Sequence, residues 1–163
     1  MKAVVQRCSA AQVRVGQELV ARIDGPCLLA LVGVAKTDTL AESHWLAQKI
    51  LGLRVFDASN LPAKCLPPGS AREVSVSDTG LPVLLISQFT LYGKTAKGRR
   101  PTWEDAAAAS VARPLFDAVA QRLAELGAQV STGQFGADMA VTSTNDGPLT
   151  LILESASPEP RPE

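Results

Sequence analysis

Along the first third of the chain, apolar residues recur at every second position in short bursts, and turn-forming residues separate the bursts. Runs rich in β-branched and aliphatic residues at 2–8, 11–15, 18–23 and 27–34 predict four strands. The period then changes. Between 40 and 51, Leu46, Ala47, Ile50 and Leu51 fall on one stripe of a helix that is expected to cover one sheet face. Thr39 and Glu42 precede that stripe at the spacing by which hydroxyl and carboxylate satisfy each other's orphan amides at a helix start. "LRVF" at 53–56 and a segment near 73–76 predict two short strands, flanking a loop punctuated by Asn60, Pro62, Pro67, Pro68, Gly69 and Ser70. Pro82 leads into a further strand at 83–89.

Downstream, Thr102 and Asp105 repeat the capping spacing. Ser110 is placed to cap a helix that tolerates Pro114 near its start and ends before Gly127, so two helices, or one broken one, are expected here. Strands at 128–135, 138–144 and 149–154 complete the pattern. "SASPEPRPE" at 155–163 is too rich in proline and charge to pack and is expected to be a disordered tail after a single domain of 1–154. With no internal repeat, this order of strands and inserted helices predicts an α+β fold with a largely antiparallel, curved sheet.

Composition narrows the class. A chain of 163 residues with 46% hydrophobic content can bury most of the surface of one compact domain. Its formal charge is zero, so any affinity for nucleic acid must come from a local patch. Cys8, Cys27 and Cys65 are odd in number and lack metal-ligand spacing, which reads as reduced thiols with neither disulfide nor zinc. The longest apolar run, "CLLALVGVA" from Cys27 to Ala35, is far shorter than the roughly 20 residues of a membrane-spanning helix. "MKAVVQRC" has no signal-peptide core, and a cytoplasmic protein without a membrane partner is expected.

Candidate chemistry is sparse. His44, beside Trp45 in the first helix, has no serine or cysteine nucleophile in a recognised context, so a structural histidine is expected and not a triad. There is no phosphate-cradling glycine loop, dinucleotide fingerprint or metal-ligand cluster, so no cofactor and no metal are expected. Two stretches stand out: "ISQFTLYG" at 86–93 and "TNDGPLT" at 144–150. Each has a plain reading. Ser87, Gln88 and Thr90 can satisfy backbone groups at a strand end, and Asp146-Gly147 is an ordinary hairpin dipeptide.

Together the two stretches carry more. "SQFTL" followed downstream by "NDGPLT" resembles the motif pair of the D-aminoacyl-tRNA deacylases, and the resemblance extends to "VQRCSAAQVRV" at the start, "KGRRPTW" at 97–103 and "GQFGADM" at 133–139. It spans the chain up to about Glu154. Leu149, where the family pattern usually has valine, the proline-rich loop of about 57–72 and the tail depart from it. The resemblance implies a homodimeric enzyme with a barrel-like sheet and two or three helices packed outside, which hydrolyses the ester between a D-amino acid and the 3′ end of tRNA. It implies a cis Gly147-Pro148 motif that reaches into the partner subunit's pocket and rejects L-aminoacyl groups by clash. Arg7 and Thr150 would support that motif. The amides of Phe89 and Ala112 would donate to an oxyanion, Ser87, Gln88 and Thr90 would floor the pocket, and Phe135 and Met139 would surround the terminal adenosine. tRNA, and not DNA, is the expected nucleic-acid partner.

The residues fit this implication on chemical grounds. An aminoacyl ester is already activated, so placing water and stabilising an oxyanion suffice. A nucleophilic Thr90 would need a base, and none is visible, which favours a positioning role. Ala112 falls in the first turn of the helix expected after Ser110, where amides lack intrahelical partners. Lys94, Lys97, Arg99 and Arg100 form a basic loop suited to phosphates. Two rivals remain: a non-catalytic single-strand nucleic-acid-binding dimer, which the 4% aromatic content disfavours, and a purely structural dimerising domain.

Overall fold

One long strand organises the sheet in the computed structural model, which describes residues 1–155. β1 (Lys2–Val15) pairs antiparallel with β8 (Ala140–Glu154) on one edge, and on the other with β3 (Cys27–Gly33) and then β2 (Glu18–Ile23). The break expected between 8 and 11 is absent. Buried positions run Ala3, Val5, then Cys8, then Ala11, Val13, so the alternation changes phase twice. Each change coincides with a register irregularity against β8, between Gln6 and Cys8 and between Cys8 and Ala10. A bulge shifts the phase without ending the ladder.

β3 continues in parallel to β6 (Val83–Ser87), and β6 to β7 (Val130–Thr132), so the barrel-like sheet is mixed, with the partners of β1 antiparallel and the β3–β6–β7 run parallel. β3 and β6 read as unbroken apolar runs because both their faces are covered. Leu28, Ala30, Val32, Val83 and Leu85 belong to the core shared with the helices. Cys27, Leu29, Leu84 and Ile86 pack with Cys8, Ala11 and Val13 inside the curve of the sheet.

α1 (Leu40–Gly52) starts as its spacing predicts: the Ala41 amide donates to Thr39 Oγ1 at 3.2 Å and the Thr39 amide to Glu42 Oε2 at 2.7 Å. It buries Ser43, Leu46, Ala47 and Ile50, and the Ser43 hydroxyl donates to the Leu115 carbonyl at 2.9 Å, tying it to the second long helix. "LRVF" is mostly not strand. Leu53 closes α1, and only β4 (Phe56–Asp57) pairs with β5 (Glu73–Val74). Ser75 and Asp78 then form another capping box for α2 (Val76–Thr79), a single turn too short for an apolar stripe to announce it.

α3 (Ala109–Glu125) buries Ala112, Phe116, Val119 and Leu123, one helical stripe. Ser110 does not cap it; Ala108 holds that position without a side-chain bond. The Thr102–Asp105 spacing starts no helix, because Thr102 is committed to a bridge with Lys94, its amide donating to the Lys94 carbonyl at 3.1 Å and its carbonyl accepting from Lys94 at 2.9 Å. β7 is shorter than 128–135 and leaves Phe135 in the segment after it. β8 runs unbroken where two strands and a hairpin were expected. Asn145 faces Cys8 and Thr150 faces Gln6, so 146–149 leave the ladder opposite Arg7 and the chain resumes in the same direction.

The Met1 ammonium pairs with Asp38 at 2.6 Å, and the Ser155 amide donates to the Met1 carbonyl at 2.9 Å. Ser155 is therefore packed and not part of a loose tail; the remainder of that expected tail, 156–163, lies outside the described residues. Among the described residues no helix is long and apolar enough to cross a membrane.

Candidate active site

The carboxyl ends of the parallel strands β3, β6 and β7 converge at Gly33, Ser87 and Thr132, the kind of place where strands that stop side by side leave a crevice. A pocket of about 410 Å³ opens there. Val32 and Ile86 close its base, Ser87–Thr90 form one wall, and Ala109, Ala112 and Phe116 of α3 another, with Phe135 and Met139 contributed by the segment after β7. Seven residues singled out in the sequence thus share one cavity: Ser87, Gln88, Phe89, Thr90, Ala112, Phe135 and Met139.

The wall is shaped by a strand that stops abruptly. The Gln88 amide makes a last bond to the Val32 carbonyl at 2.7 Å, and Phe89–Tyr92 then wind into a single 3-10 turn, with the Gly93 amide donating to the Thr90 carbonyl at 3.0 Å. Gly33 permits this: a Cβ there would stand 3.0 Å from the Gln88 carbonyl oxygen. As in the first turn of any helix, the opening amide has no acceptor behind it. Among the described residues the Phe89 N–H has no partner. The Thr90 hydroxyl accepts from the Gln88 side-chain amide, and no histidine, amine or carboxylate bonds it. His44 is exposed on α1 and takes no part in the lining, whose one ionisable group is the exposed Asp138.

The expectation for Ala112 needs correction. Because the helix begins at Ala109, the Ala112 amide makes the first intrahelical bond, to the Ala108 carbonyl at 2.8 Å, and Val111 reaches the same carbonyl at 2.9 Å. Ala112 lends the pocket its methyl wall. Among the described residues, the unpartnered amides of this turn are those of Ala109 and Ser110.

Phe135 packs on Phe116 at 5.9 Å, with the guanidinium of Arg113 at 6.0 Å from its ring centre. Met139 sits where Gly133 leaves room, a Cβ at Gly133 lying 2.6 Å from its sulfur. On the rim, Phe89 meets Trp103 edge to face at 5.3 Å. The basic loop is smaller than its sequence implied. Lys94 is bound to Asp105 at 3.0 Å and Glu104 at 3.6 Å, and its pKa is raised by the bond to Asp105. Lys97, Arg99 and Arg100 are exposed, with no ion pair among the described residues. Arg113 and the Phe89–Trp103 pair were not singled out in the sequence as site features; Gly93, which a Cβ would drive to 2.7 Å from the Trp103 ring, was the available signal.

Gly147 and Pro148 do not line this pocket. They form a cis peptide at the crest of the 146–149 excursion, exposed. Arg7 braces it: Nε donates to the Asp146 carbonyl at 2.9 Å, while Nη1 donates to the Val55 carbonyl at 2.7 Å. Thr150 anchors the far side, its hydroxyl accepting from Asn145 Nδ2 at 2.8 Å and Gln6 Nε2 at 3.1 Å. Asn145 Oδ1 also accepts from the Leu149 amide at 2.9 Å. Asn145 and Gln6 were missed because an Asn-Asp-Gly run reads as a turn and gives no sign that its first side chain spans a bulge.

Among the described residues no group of three or more His, Cys, Asp or Glu side chains could hold a metal. Cys8 and Cys27 face each other inside the sheet, away from the pocket; contact with Cys8, then burial, pushes the Cys27 thiol far up.

A barrel-like sheet with a pocket walled by a strand-end turn, presenting a free main-chain amide and an unactivated hydroxyl, has the features of an acyl-ester site that works through its backbone. The family model described as D-Tyr-tRNA(Tyr) deacylase matches residues 4–154, and the chain belongs to that family. It is 51% identical to the D-aminoacyl-tRNA deacylase of Thermobifida fusca (strain YX), over 94% of this chain and 99% of that one. It is 50% identical to the protein of the same name from Nocardia farcinica (strain IFM 10152), over 95% and 100%. A solved structure titled c-Myc DNA Unwinding Element Binding Protein superposes with a TM-score of 0.80 at 36% identity, covering 96% of this chain and 99% of that one. A probable eukaryotic D-amino acid tRNA deacylase, at 16% identity and a TM-score of 0.76 over 93% and 97%, shares the fold.

Proposed function

We infer that this chain is a D-aminoacyl-tRNA deacylase, a hydrolase that cleaves the ester between a D-amino acid and the terminal ribose of tRNA. The observation that carries the reading is the unpartnered Phe89 amide beside a Thr90 hydroxyl that has no base. Water adds to the ester carbonyl, the Phe89 N–H stabilises the oxyanion, and collapse expels the ribose 3′-oxygen, which takes up a proton as the free amino acid leaves. Proton transfer falls to the neighbouring 2′-hydroxyl of the RNA, so the pocket needs no histidine. Ser87, Gln88 and Thr90 position the acyl group. Phe135 and Met139 flank the terminal adenosine, and Lys97, Arg99 and Arg100 meet backbone phosphates. A glycyl ester, having no side chain to reject, is also a substrate.

The working unit of this proposal is a homodimer in the cytoplasm, where aminoacyl-tRNA is made and used. Gly147 and Pro148 stand outside their own pocket on β8, whose Ile152 is 74% exposed and whose outer edge has no partner among the described residues. An uncovered edge of this length invites pairing. A second copy seated there would carry Gly147-Pro148 toward the pocket of the first, where main chain facing the α-carbon excludes an L side chain by clash.

The test is release of tyrosine from D-Tyr-tRNA and L-Tyr-tRNA by the pure protein, with only the D ester expected to be cleaved. An intact D ester would favour a non-catalytic single-strand nucleic-acid-binding dimer, the reading that the likeness to the DNA-unwinding-element protein keeps open.

A further inference from the structure

The rim of the pocket holds a feature that ester cleavage does not use. Phe89 lines the cavity, yet 57% of its surface is exposed, and its ring meets Trp103, itself 41% exposed, at 5.3 Å and 77°. An edge-to-face pair leaves ring surface uncovered, and in a chain with 4% aromatic residues two such rings side by side in solvent call for an occupant. The pair is held in place and not left there by chance. Gly93 has no Cβ where one would stand 2.7 Å from Trp103 Cζ3, and the two bonds between Lys94 and Thr102 pin the chain just before the tryptophan. That same bridge closes the loop that carries Lys97, Arg99 and Arg100, while Lys94 holds Glu104 and Asp105 and offsets the nearby negative charge.

Read outward from the cavity, the order is ester pocket, Phe89, Trp103, cationic loop. A single-stranded 3′ end presents a matching order of acyl group, bases and phosphates. Base faces stack on aromatic rings whatever the base, and lysine and arginine track the phosphates. We propose that Trp103, backed by Phe89, is a stacking platform for the nucleobase preceding the 3′-terminal adenosine, so that the site grips at least the last two nucleotides of its RNA. This rests on the deacylase reading for the direction in which the RNA lies.

Two measurements test it. In a Trp45→Phe background Trp103 is the one remaining tryptophan, so its fluorescence is titrated with an oligoribonucleotide ending in CCA and with the same oligomer made abasic at the penultimate position. Quenching by the first and markedly weaker quenching by the second is expected; equal quenching, or none, would overturn the platform, whether or not the protein hydrolyses anything. The second compares Trp103→Ala and Trp103→Phe on D-Tyr-tRNA and on D-tyrosyl-adenosine, which lacks the preceding nucleotide. Loss of one base–aromatic stack should raise KM for the tRNA roughly tenfold in Trp103→Ala. Trp103→Phe should restore most of it, and the preference for tRNA over the minimal ester should fall by a similar factor. Equal losses on both substrates would make Trp103 a prop for the Phe89 turn, and weakened dimerisation would make it an interface residue; either result refutes the platform. Failure of the wild type to cleave either ester would refute the deacylase reading and leave the fluorescence result to decide the platform.

Discussion

Gly147→Ala is the perturbation with the most clearly worked consequence. Gly147 has φ +135°, and an added Cβ would stand 2.7 Å from Nη2 of Arg7 and 3.0 Å from the Leu149 amide nitrogen. Holding a residue with a side chain in that backbone region costs roughly 1–3 kcal/mol. The contact adds to it, because Arg7 is not free to withdraw: its Nη1 and Nε are bonded to the Val55 and Asp146 carbonyls at 2.7 and 2.9 Å. Giving up one charge-assisted bond of this kind costs about 1.5–3 kcal/mol. If the 146–149 excursion escapes by reorienting, the total of roughly 2.5–6 kcal/mol translates into a fall in D-Tyr-tRNA deacylation of about 70- to 25,000-fold, at 1.36 kcal/mol per decade. Gly147 is exposed and the new methyl meets Leu149 Cβ only at an ordinary 3.5 Å, so the thermal transition should barely move. Single-turnover deacylation, with a melting curve on the same sample, measures both. Repeating the substitution in an Arg7→Ala background isolates the contact, since only the backbone part of the loss should then remain. Wild-type deacylation by Gly147→Ala, or an identical loss factor in both backgrounds, would refute the reasoning.

Thr90→Ala should retain measurable deacylation, because the hydroxyl is bonded to the Gln88 amide and to no base; a trapped aminoacyl ester on Thr90 would show the opposite. Neutralising Lys97, Arg99 and Arg100 together should lower the slope of log affinity for tRNA against log salt by up to about 2–3, and an unchanged slope would detach the loop from RNA. Excess EDTA should leave activity on folded tRNA intact, whereas a loss restored by one particular divalent ion would point to a bound metal. Phe116→Ala removes a ring that is 3% exposed and packs on Phe135. It should lower stability by about 3–5 kcal/mol and raise KM as the pocket wall loosens, which denaturant titration and steady-state kinetics would register.

What the sequence made legible was whatever local chemistry decides. α1 starts at Thr39 because hydroxyl and carboxylate lie three residues apart, and nothing distant competes for them. The same spacing at Thr102 failed because the Lys94 bridge, a contact formed by chain folding back on itself, had already taken the backbone. The two long strands were cut in the reading for related reasons. A bulge in β1 reverses the alternation around Cys8, and the 146–149 excursion inserts Asp-Gly into β8 with the composition of a hairpin but not its reversal of direction. The pocket residues could be named from their motifs, yet their convergence depends on three parallel strand ends lying side by side, which periodicity does not encode. The Ala112 amide shows the limit at a finer scale. Moving the helix start by two residues, the cap from Ser110 to Ala108, decides whether that N–H is free or bonded.

The make-up of the pocket lining carries a practical consequence for chemical probing. It offers neither cysteine, histidine nor lysine, and its hydroxyls at Ser87 and Thr90 have no base to sharpen them, while Cys8 and Cys27 are sealed inside the sheet. Fluorophosphonates, acyl phosphates and thiol alkylators, which report on hydrolases by attaching to an activated side chain, should pass through this cavity unreacted. Surveys built on such reagents would overlook this site, since the half-buried thiol of Cys65 lies outside its lining, and an inhibitor would have to compete by shape and by hydrogen bonds to the peptide backbone, as a stable amide or phosphonate mimic of the acylated ribose would.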